Sequence, residues 1–170
     1  WHLTETGSGT ADEFKDSTQY GNHGQGGEGV SQFVPTRIAG RFGYGQDFVI
    51  TPDSNTNSAD EGQLIDCGND ASLDITGNQI TLEAWVKHSI VPDWGDWYGI
   101  LNHKGYDYGY RIFMPDNSLK LSFQLPGDTD SLTSAGDITA GGWHHVVALD
   151  RRRGRRRVRV FVFPFWPALS

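Results

Sequence analysis

The sequence predicts an all-β protein, an antiparallel β-sandwich, and three observations support that fold class. Twenty-two glycines and seven prolines are distributed along 170 residues, which is typical of many tight turns. Apolar and polar residues alternate in several stretches, and this period of two is that of a strand with one buried face. No apolar run reaches the roughly 18 residues that a membrane-spanning helix needs, so we expect no membrane span.

The predicted strands follow one another along a single domain and are separated by polar turns. They lie at residues 1–4, within 38–50, and at 64–68, 80–87, 99–105, 110–114, 119–125, 143–150 and 158–163. The connecting segments are a polar glycine-rich loop at 7–29, a flexible loop at 51–62, a hinge at 115–118 and an acidic loop with at most a short strand at 126–142.

Alternation predicts which side chains of the two clearest strands reach the core. The inward residues are Ile80, Leu82, Ala84 and Val86 in one strand, and Leu119, Leu121, Phe123 and Leu125 in the other. The outward residues are Thr81, Glu83, Trp85 and Lys87, and Lys120, Ser122 and Gln124. One face of the sheet is therefore predicted to be polar with an aromatic ring on it, a surface that can stack on a sugar and bind its hydroxyl groups.

Charge is distributed unevenly along the chain. The net charge is −7, yet residues 151–170 contain seven arginines and no acid. This tract can be interpreted as a nucleic-acid patch, or as the solvent side of a hairpin in which Gly154 provides the turn. We favour the hairpin and expect no nucleic-acid partner. Residues 163–170 form an atypical aromatic tail, and their composition is typical of a frameshifted or truncated end.

Several kinds of reactive site lack support in the sequence. The single cysteine, Cys67, excludes an internal disulfide and is predicted to be a buried, inert thiol. His144 and His145 are adjacent in a predicted strand, so they point to opposite faces and cannot bind one metal ion together. We expect His145 to be partly buried and hydrogen-bonded. No local motif indicates zinc, nucleophilic or nucleotide chemistry.

Five motifs in order resemble laminin G-like modules, which have the concanavalin A-type jelly roll. They are WHLTETGSGTADEF at 1–14, DSTQYGNHG at 16–24, IAGRFGYGQDF at 38–48, LDITGNQITLEAWVK at 73–87 and GGWHHVVALD at 141–150. In the third motif, Gly40, Phe42, Gly43, Asp47 and Phe48 occupy the family's positions. The resemblance covers residues 1–162 and implies a laminin G-like jelly-roll domain whose closing strands are missing.

The resemblance implies a non-catalytic binding or adhesion module of a secreted or cell-surface protein. Such a module recognises carbohydrate or an extracellular protein ligand and is often one of several domains in a longer chain. Two alternatives stay open, a purely structural spacer and a glycoside hydrolase of the jelly-roll glucanase type. Retaining hydrolysis needs two carboxylates about 5 Å apart, and the strand at 80–87 offers only Glu83.

The candidate carbohydrate-binding residues are aromatic rings with carboxylates nearby. Trp94, Trp97 and Tyr98 lie in a predicted loop with two aspartates, where rings can stack on sugar C–H groups. Glu83 and Trp85 of the polar sheet face are the other candidates. The alternative is that at least two of the three loop rings cap the core.

A calcium site is also implied by the resemblance, because many relatives hold a structural calcium near an N-terminal acidic loop. Asp16 is the first candidate ligand, with Asn22 or loop carbonyls beside it. The alternative for these residues is an Asx-type turn without a metal. The acidic closing strands of the family are absent here, and they would supply the other side of such a site.

Overall fold

A computed structural model describes residues 1–49, 62–75, 77, 79–89, 97–104, 109–125, 131–151 and 157–164. For residue 151 and residues 157–164 it describes the backbone only. The chain divides into two compact units, Trp1–Ser72 and Leu73–Ser170. The described strands are β1 (Gln25–Gly26), β2 (Thr36–Ala39), β3 (Tyr44–Asp47), β4 (Ile65–Asp66), β5 (Gln79–Val86), β6 (Tyr98–His103), β7 (Tyr110–Met114), β8 (Ser122–Gln124), β9 (Leu132–Thr133), β10 (His144–Arg151) and β11 (Arg157–Pro164). Short 3₁₀ turns occupy Gly27–Gly29, Ser31–Phe33 and Ala71–Leu73.

The first unit contains two small antiparallel sheets, the pair β1–β4 and the hairpin β2–β3. Its centre is Phe14, which is fully buried and whose backbone exchanges hydrogen bonds with Gly24. Glycines make room around this ring. A Cβ atom added at Gly7 would lie 2.9 Å from the Phe14 ring, and one at Gly24 would lie 2.5 Å from Ile65 Cγ2. Glycine is therefore needed at these close backbone approaches.

The second unit is a sandwich of two antiparallel sheets, one in the order β11-β10-β5 and one in the order β6-β7-β8-β9. Apolar side chains of both sheets meet in one cluster, which accounts for the alternation along their strands. The buried members are Leu82, Tyr110, Ile112, Met114, Leu121, Phe123, Leu125, Ile138, Val146 and Ala148. No helix among the described residues is long and apolar enough to cross a membrane.

The antiparallel all-β fold class is confirmed, and so are most strands of the second unit. Leu82 is buried while Glu83 and Trp85 are exposed, as alternation predicts for β5. The two strands of the predicted arginine hairpin are present, because β10 pairs with β11 along its whole length. The turn predicted at Gly154 lies outside the described residues. Residues 163 and 164, predicted as tail, are the last two residues of β11. The hinge at 115–118 is a turn in which Asn117 has a φ of 48°, a conformation that asparagine tolerates.

Three sequence predictions about the strands are wrong. Residues 1–4 form no strand, because Leu3 has a φ of 56° and so leaves the extended region. The strand predicted at 119–125 is only three residues long. Ser122 and Gln124 were predicted to be outside but are buried, since neighbouring strands satisfy their polar atoms. The flexible loop predicted at 51–62 lies outside the described residues, apart from Gly62.

Candidate functional site

A cluster of aromatic and polar side chains lies on the outer face of the β6–β9 sheet. Alternate residues of β7 point into the core, so Arg111 and Phe113 between them point to the other face. The register places a residue of β6 and a residue of β8 beside each of them. We call this cluster the Trp97 platform, and its members are Trp97, Gly99, Asn102, Arg111, Phe113 and Gln124.

Trp97 is held against a buried ring while much of its own surface remains accessible. Its ring is parallel to that of Phe113 within 3°, with the centroids 5.0 Å apart. Phe113 is buried, whereas Trp97 is 48% exposed. Parallel offset rings attract each other beyond their burial of apolar area. The indole therefore has a defined orientation before any ligand arrives.

Arg111 is oriented by the same rings and by one amide. Its guanidinium carbon lies 4.3 Å from the centroid of Phe113 and 5.0 Å from that of Trp97. Arg111 Nε donates a hydrogen bond of 2.7 Å to Gln124 Oε1, and Gln124 is buried. A cationic group with several N–H donors thus stands beside the exposed indole.

The β6 side of the platform has little described structure over it. Gly99 pairs with Phe113, and a Cβ atom added at Gly99 would meet no heavy atom of a described residue within 4 Å. Asn102 is paired with Arg111 and is exposed, so its amide can both donate and accept hydrogen bonds. The platform therefore combines a flat ring, free space and an exposed amide.

A second exposed aromatic lies on the outer face of the β5–β10 pair. Trp85 is opposite His145 in the register, and their rings are stacked with centroids 4.9 Å apart and planes at 18°. His145 Nε2 lies 2.7 Å from Glu83 Oε1. We call these three residues the Trp85 cluster. The prediction that His145 is partly buried and hydrogen-bonded is confirmed.

The two aromatic groups belong to opposite faces of the sandwich. Leu82, next to Glu83, and Ile112, next to Arg111, point inward into the same apolar cluster. The outward side chains of the two sheets consequently point away from one another. The predicted site residues are therefore divided: Glu83 and Trp85 on one face, Trp97 on the other, Tyr98 packed against the core, and Trp94 outside the described residues.

The described strand positions next to Glu83 carry no second carboxylate. On its own strand, the same face carries Thr81 and Trp85. Across the sheet, the facing residue is Val147, flanked by His145 and Leu149. Retaining glycosidases need a partner carboxylate about 5 Å away, and none of these neighbouring described positions provides it.

Asp16 and Asn22 lie together in the first unit, in a hydrogen-bonded loop. Asp16 Oδ1 accepts a bond from Thr18 N, and Oδ2 accepts bonds from Thr18 Oγ1 and Asn22 N. The amide and hydroxyl bonds from Thr18 lower the pKa of Asp16, and the bond from Asn22 adds to this. Asn22 Nδ2 in turn donates to Ser72 Oγ.

This donor set does not fit a calcium ion well. Calcium binds six to eight oxygen atoms, whereas the Asp16 oxygens face N–H and O–H donors in the pattern of an Asx-type turn. Among the described residues, no group of three or more His, Cys, Asp or Glu side chains is placed to hold a metal. Calcium at this loop stays a prediction.

His144 and Cys67 are the other reactive side chains considered from the sequence. His144 is buried, and its Nε2 lies 3.1 Å from both the N and the O atoms of Thr139 in the loop before β10. It points to the face opposite His145, as the strand period predicts. Burial raises the pKa of the Cys67 thiol to about 11, and the charge of Asp66 adds to the effect. The thiol is therefore protonated at neutral pH, in agreement with an inert cysteine. Cys67 is half-buried and not buried as predicted, since it follows the two-residue strand β4 between exposed Asp66 and Gly68.

Sequence reasoning missed Arg111, Phe113, Gln124 and His145 as parts of these clusters. The sequence predicted 110–114 and 119–125 as strands joined by a short hinge, but a hairpin closed at 114 and 119 would pair Arg111 with Ser122. The structure pairs Arg111 with Gln124 instead, because β8 begins only at Ser122. The contact of Trp97 with Phe113 likewise had no local signal.

Comparison with known proteins agrees with the fold. Residues 55–162 match the profile of a laminin G-like family described as the concanavalin A-like lectin/glucanases superfamily, and this match covers more than half of the chain. A search of curated proteins and a search of solved structures returned no match. Domains of this family often bind carbohydrates or proteins, are generally non-catalytic and are typically extracellular. With strands β5 to β10 inside the matched residues, the chain belongs to the concanavalin A-like lectin/glucanase superfamily as a laminin G-like domain.

Proposed function

We propose that this domain is a non-catalytic module that binds carbohydrate, with the Trp97 platform as its binding surface. The observation that supports this most is the exposed indole of Trp97, which is stacked on buried Phe113 beside an open glycine position. A sugar places its C–H groups on such a ring and its hydroxyl groups around the ring's edge. The module would act in a secreted or cell-surface protein, as one domain of a longer chain.

The polar members of the platform suit hydroxyl groups. The Arg111 guanidinium contributes donors, while the Asn102 amide contributes both a donor and an acceptor. Because Arg111 is already oriented by two rings and by Gln124, little side-chain entropy is lost when it meets a ligand. A pre-organised surface of this kind supports selective binding more than a flexible loop does.

The test is a glycan array on the full chain, followed by calorimetry with the strongest glycan. Trp97→Ala should weaken binding about tenfold or more, because a lost stacking ring removes roughly 1.5 kcal/mol. Trp85→Ala is the matched control, since it deletes the same side chain from the opposite face and should leave affinity unchanged. Equal losses in the two variants, or no loss in Trp97→Ala, would contradict the assignment.

A separate measurement tests the alternative that the domain is a glycoside hydrolase. Release of new reducing ends from a β-glucan, abolished by Glu83→Gln, would show that the domain is an enzyme. We expect no release, because the described strand positions beside Glu83 offer no partner carboxylate.

A further inference from the structure

His144 is a buried ionisable residue that the Trp97 platform does not use. Its side chain is 2% exposed and points to the same face of β10 as Val146 and Ala148, which belong to the apolar core. Its partners in the neighbouring strands are Val86 of β5 and Pro164 of β11. A charged ring in such apolar surroundings is costly unless a partner compensates its charge.

The ring contacts one residue of the loop before β10. We call residues 138–142 the His144 loop. The N–H group of Thr139 points at His144 Nε2 across 3.1 Å, and the hydroxyl and carbonyl oxygens of Thr139 lie 3.3 and 3.1 Å from the same nitrogen. A Cβ atom added at Gly142 would lie 3.4 Å from Nε2, so the loop backbone approaches the ring closely. His144 Nδ1 is buried and has no hydrogen-bond partner among the described residues.

Both neutral tautomers of the ring fit these contacts, whereas the charged ring does not. A bare Nε2 accepts from the Thr139 N–H group, and a protonated Nε2 donates to the Thr139 carbonyl. The charged imidazolium carries a proton on each nitrogen. Its Nε2–H group would oppose the Thr139 N–H group, and its Nδ1–H group would be a buried donor without an acceptor.

The ionisable groups on the strands do not compensate a positive charge at this ring. His144 forms no ion pair with a described residue. On the same face of β10, the next ionisable residue is Asp150, six positions and about 20 Å further along the strand. His145 and Glu83 contact each other on the opposite face, and Lys87, which follows Val86, is exposed.

Asp137 and His88 are the ionisable groups on the loop side. Asp137 Oδ1 pairs with Lys120 Nζ at 3.1 Å, so this carboxylate already has a counter-charge. His88 Nε2 donates to the Ile138 carbonyl at 2.8 Å, and this bond persists when His88 gains a second proton at Nδ1. His144 is therefore the histidine of this region whose contacts require the neutral form.

We propose that His144 is a pH-sensitive switch, and that acid opens the His144 loop by protonating its ring. Opening exposes the ring to water, where a histidine takes up a proton at about pH 6.5. The open loop binds this proton better than the closed loop, so a falling pH shifts the equilibrium toward the open form. The proposal does not rest on the Trp97 platform.

The consequence of opening follows from what the closed loop holds in place. Ile138 is fully buried in the apolar core, and its N–H group donates to the Leu119 carbonyl at 2.6 Å. Gly141 N donates to the His88 carbonyl at 2.8 Å. Opening breaks these two bonds and exposes the Ile138 side chain, so the switch changes a local apolar surface without unfolding the sandwich.

The experiment is amide hydrogen exchange of the isotope-labelled full chain, read by NMR from about pH 7.5 to about pH 5. After division by the intrinsic exchange rates, protection of the Thr139 and Gly141 amides should fall about tenfold per pH unit below about pH 6, the slope for uptake of one proton. The amides of β7 should keep their protection. Unchanged protection of the loop would overturn the proposal, and a parallel loss in β7 would show global unfolding in place of a local switch.

Two variants of adjacent histidines sharpen the test. His144→Gln cannot be protonated and keeps an acceptor near the position of Nε2, so protection of the loop should no longer depend on pH. His145→Gln is the matched control, because its ring lies on the opposite face and contacts Glu83. It should leave the pH dependence intact. Persistent pH dependence in a folded His144→Gln variant, or its loss in His145→Gln, would contradict the role of His144.

The ring of the wild-type chain provides a second measurement if His144→Gln does not fold. Imidazole nitrogen and carbon shifts report the protonation of His144 directly. We expect the charged form to appear together with the loss of protection at Thr139, with one common midpoint. A ring that becomes charged while Thr139 stays protected would show that the closed loop accepts the imidazolium, and would overturn the switch.

Discussion

Each of the two units is stabilised internally by a different kind of interaction. The second unit buries an apolar cluster to which both sheets contribute. In the described part of the first unit, Phe14 is the only large hydrophobic side chain that is fully buried. That unit relies on hydrogen bonds that the carboxylates of Asp16 and Glu13 accept from backbone N–H groups of its loops, and on glycines that let the backbone approach Phe14. A chain with 36% hydrophobic residues thus concentrates its apolar core in the second unit, and polar contacts stabilise the first unit.

Two glutamates show the same contrast on a smaller scale. Glu13, in the first unit, accepts bonds from four backbone N–H groups and one hydroxyl. Glu83, in the second unit, lies on an exposed sheet face and contacts His145. A carboxylate that satisfies backbone donors shapes a loop, whereas an exposed side-chain pair contributes little. The position in the fold, and not the residue type, decides how much each glutamate stabilises.

Among the proposed substitutions, we expect the largest loss of stability in the sandwich core. Phe123→Ala should lower the free energy of unfolding by about 3–5 kcal/mol, since it leaves a cavity in a closely packed cluster. Urea denaturation followed by amide exchange at Val146 measures it. Val147→Ala, on the partly exposed outer face, is the control and should cost far less. A cost below about 1 kcal/mol for Phe123→Ala would contradict the assignment of the core.

Gly24→Ala tests whether the first unit depends on bare backbone. The new methyl group would lie 2.5 Å from Ile65 Cγ2, so we expect a loss of about 1–3 kcal/mol from overpacking. Faster exchange of the Phe14 and Gly24 amides, which bond each other's carbonyls, would report it. Gly62→Ala is the matched control, because a Cβ atom there meets no atom of a described residue within 4 Å. If both variants behave alike, close packing around Phe14 is not what holds this unit.

Glu13→Gln should cost about 1–2 kcal/mol, because several hydrogen bonds lose their charged acceptor. Burial raises the pKa of Glu13, but the bonds from Ser8, Gly26 and Gly9 outweigh it and lower the pKa below the ordinary 4.5. The contribution of Glu13 to stability is therefore fully present above pH 4.5. It is lost as the pH falls through the lowered pKa of Glu13 in the folded state.

Acid titration of the first unit, followed by exchange at the Gly26 amide, checks this pH dependence. The wild-type chain should lose stability on the acid side of pH 4.5, and the Glu13→Gln variant should lose less over the same interval. Parallel acid profiles for the two chains would show that Glu13 does not organise this loop.

The smallest effect is expected for Glu83→Gln. The Glu83–His145 pair lies on an exposed face, and such pairs contribute about 0–1 kcal/mol. Thermal unfolding of the variant should therefore stay close to that of the wild type. A loss as large as that of Glu13→Gln would remove the contrast between the two units.

Much of the second unit could be predicted because its longer strands, of five to eight residues, carry recognisable apolar patterns. The stretches at 80–87, 110–114 and 143–150 and the arginine hairpin correspond to β5, β7, β10 and β11. The first unit was harder, since its strands are two to four residues long and its loops depend on side-chain hydrogen bonds. The left-handed conformation of Leu3, which removes the predicted first strand, has no signal in the sequence.

Local periodicity alone decides which side chains share a face. It places Glu83 with Trp85, separates His144 from His145, and directs Leu82 to the core, because successive residues of any strand alternate. Which rings meet depends on the pairing of distant strands. The stacking of Trp97 on Phe113, the bond from Arg111 to Gln124, and the separation of Trp85 and Trp97 onto opposite faces therefore exist only in the tertiary structure. These contacts join residues whose distance along the chain carries no periodic signal.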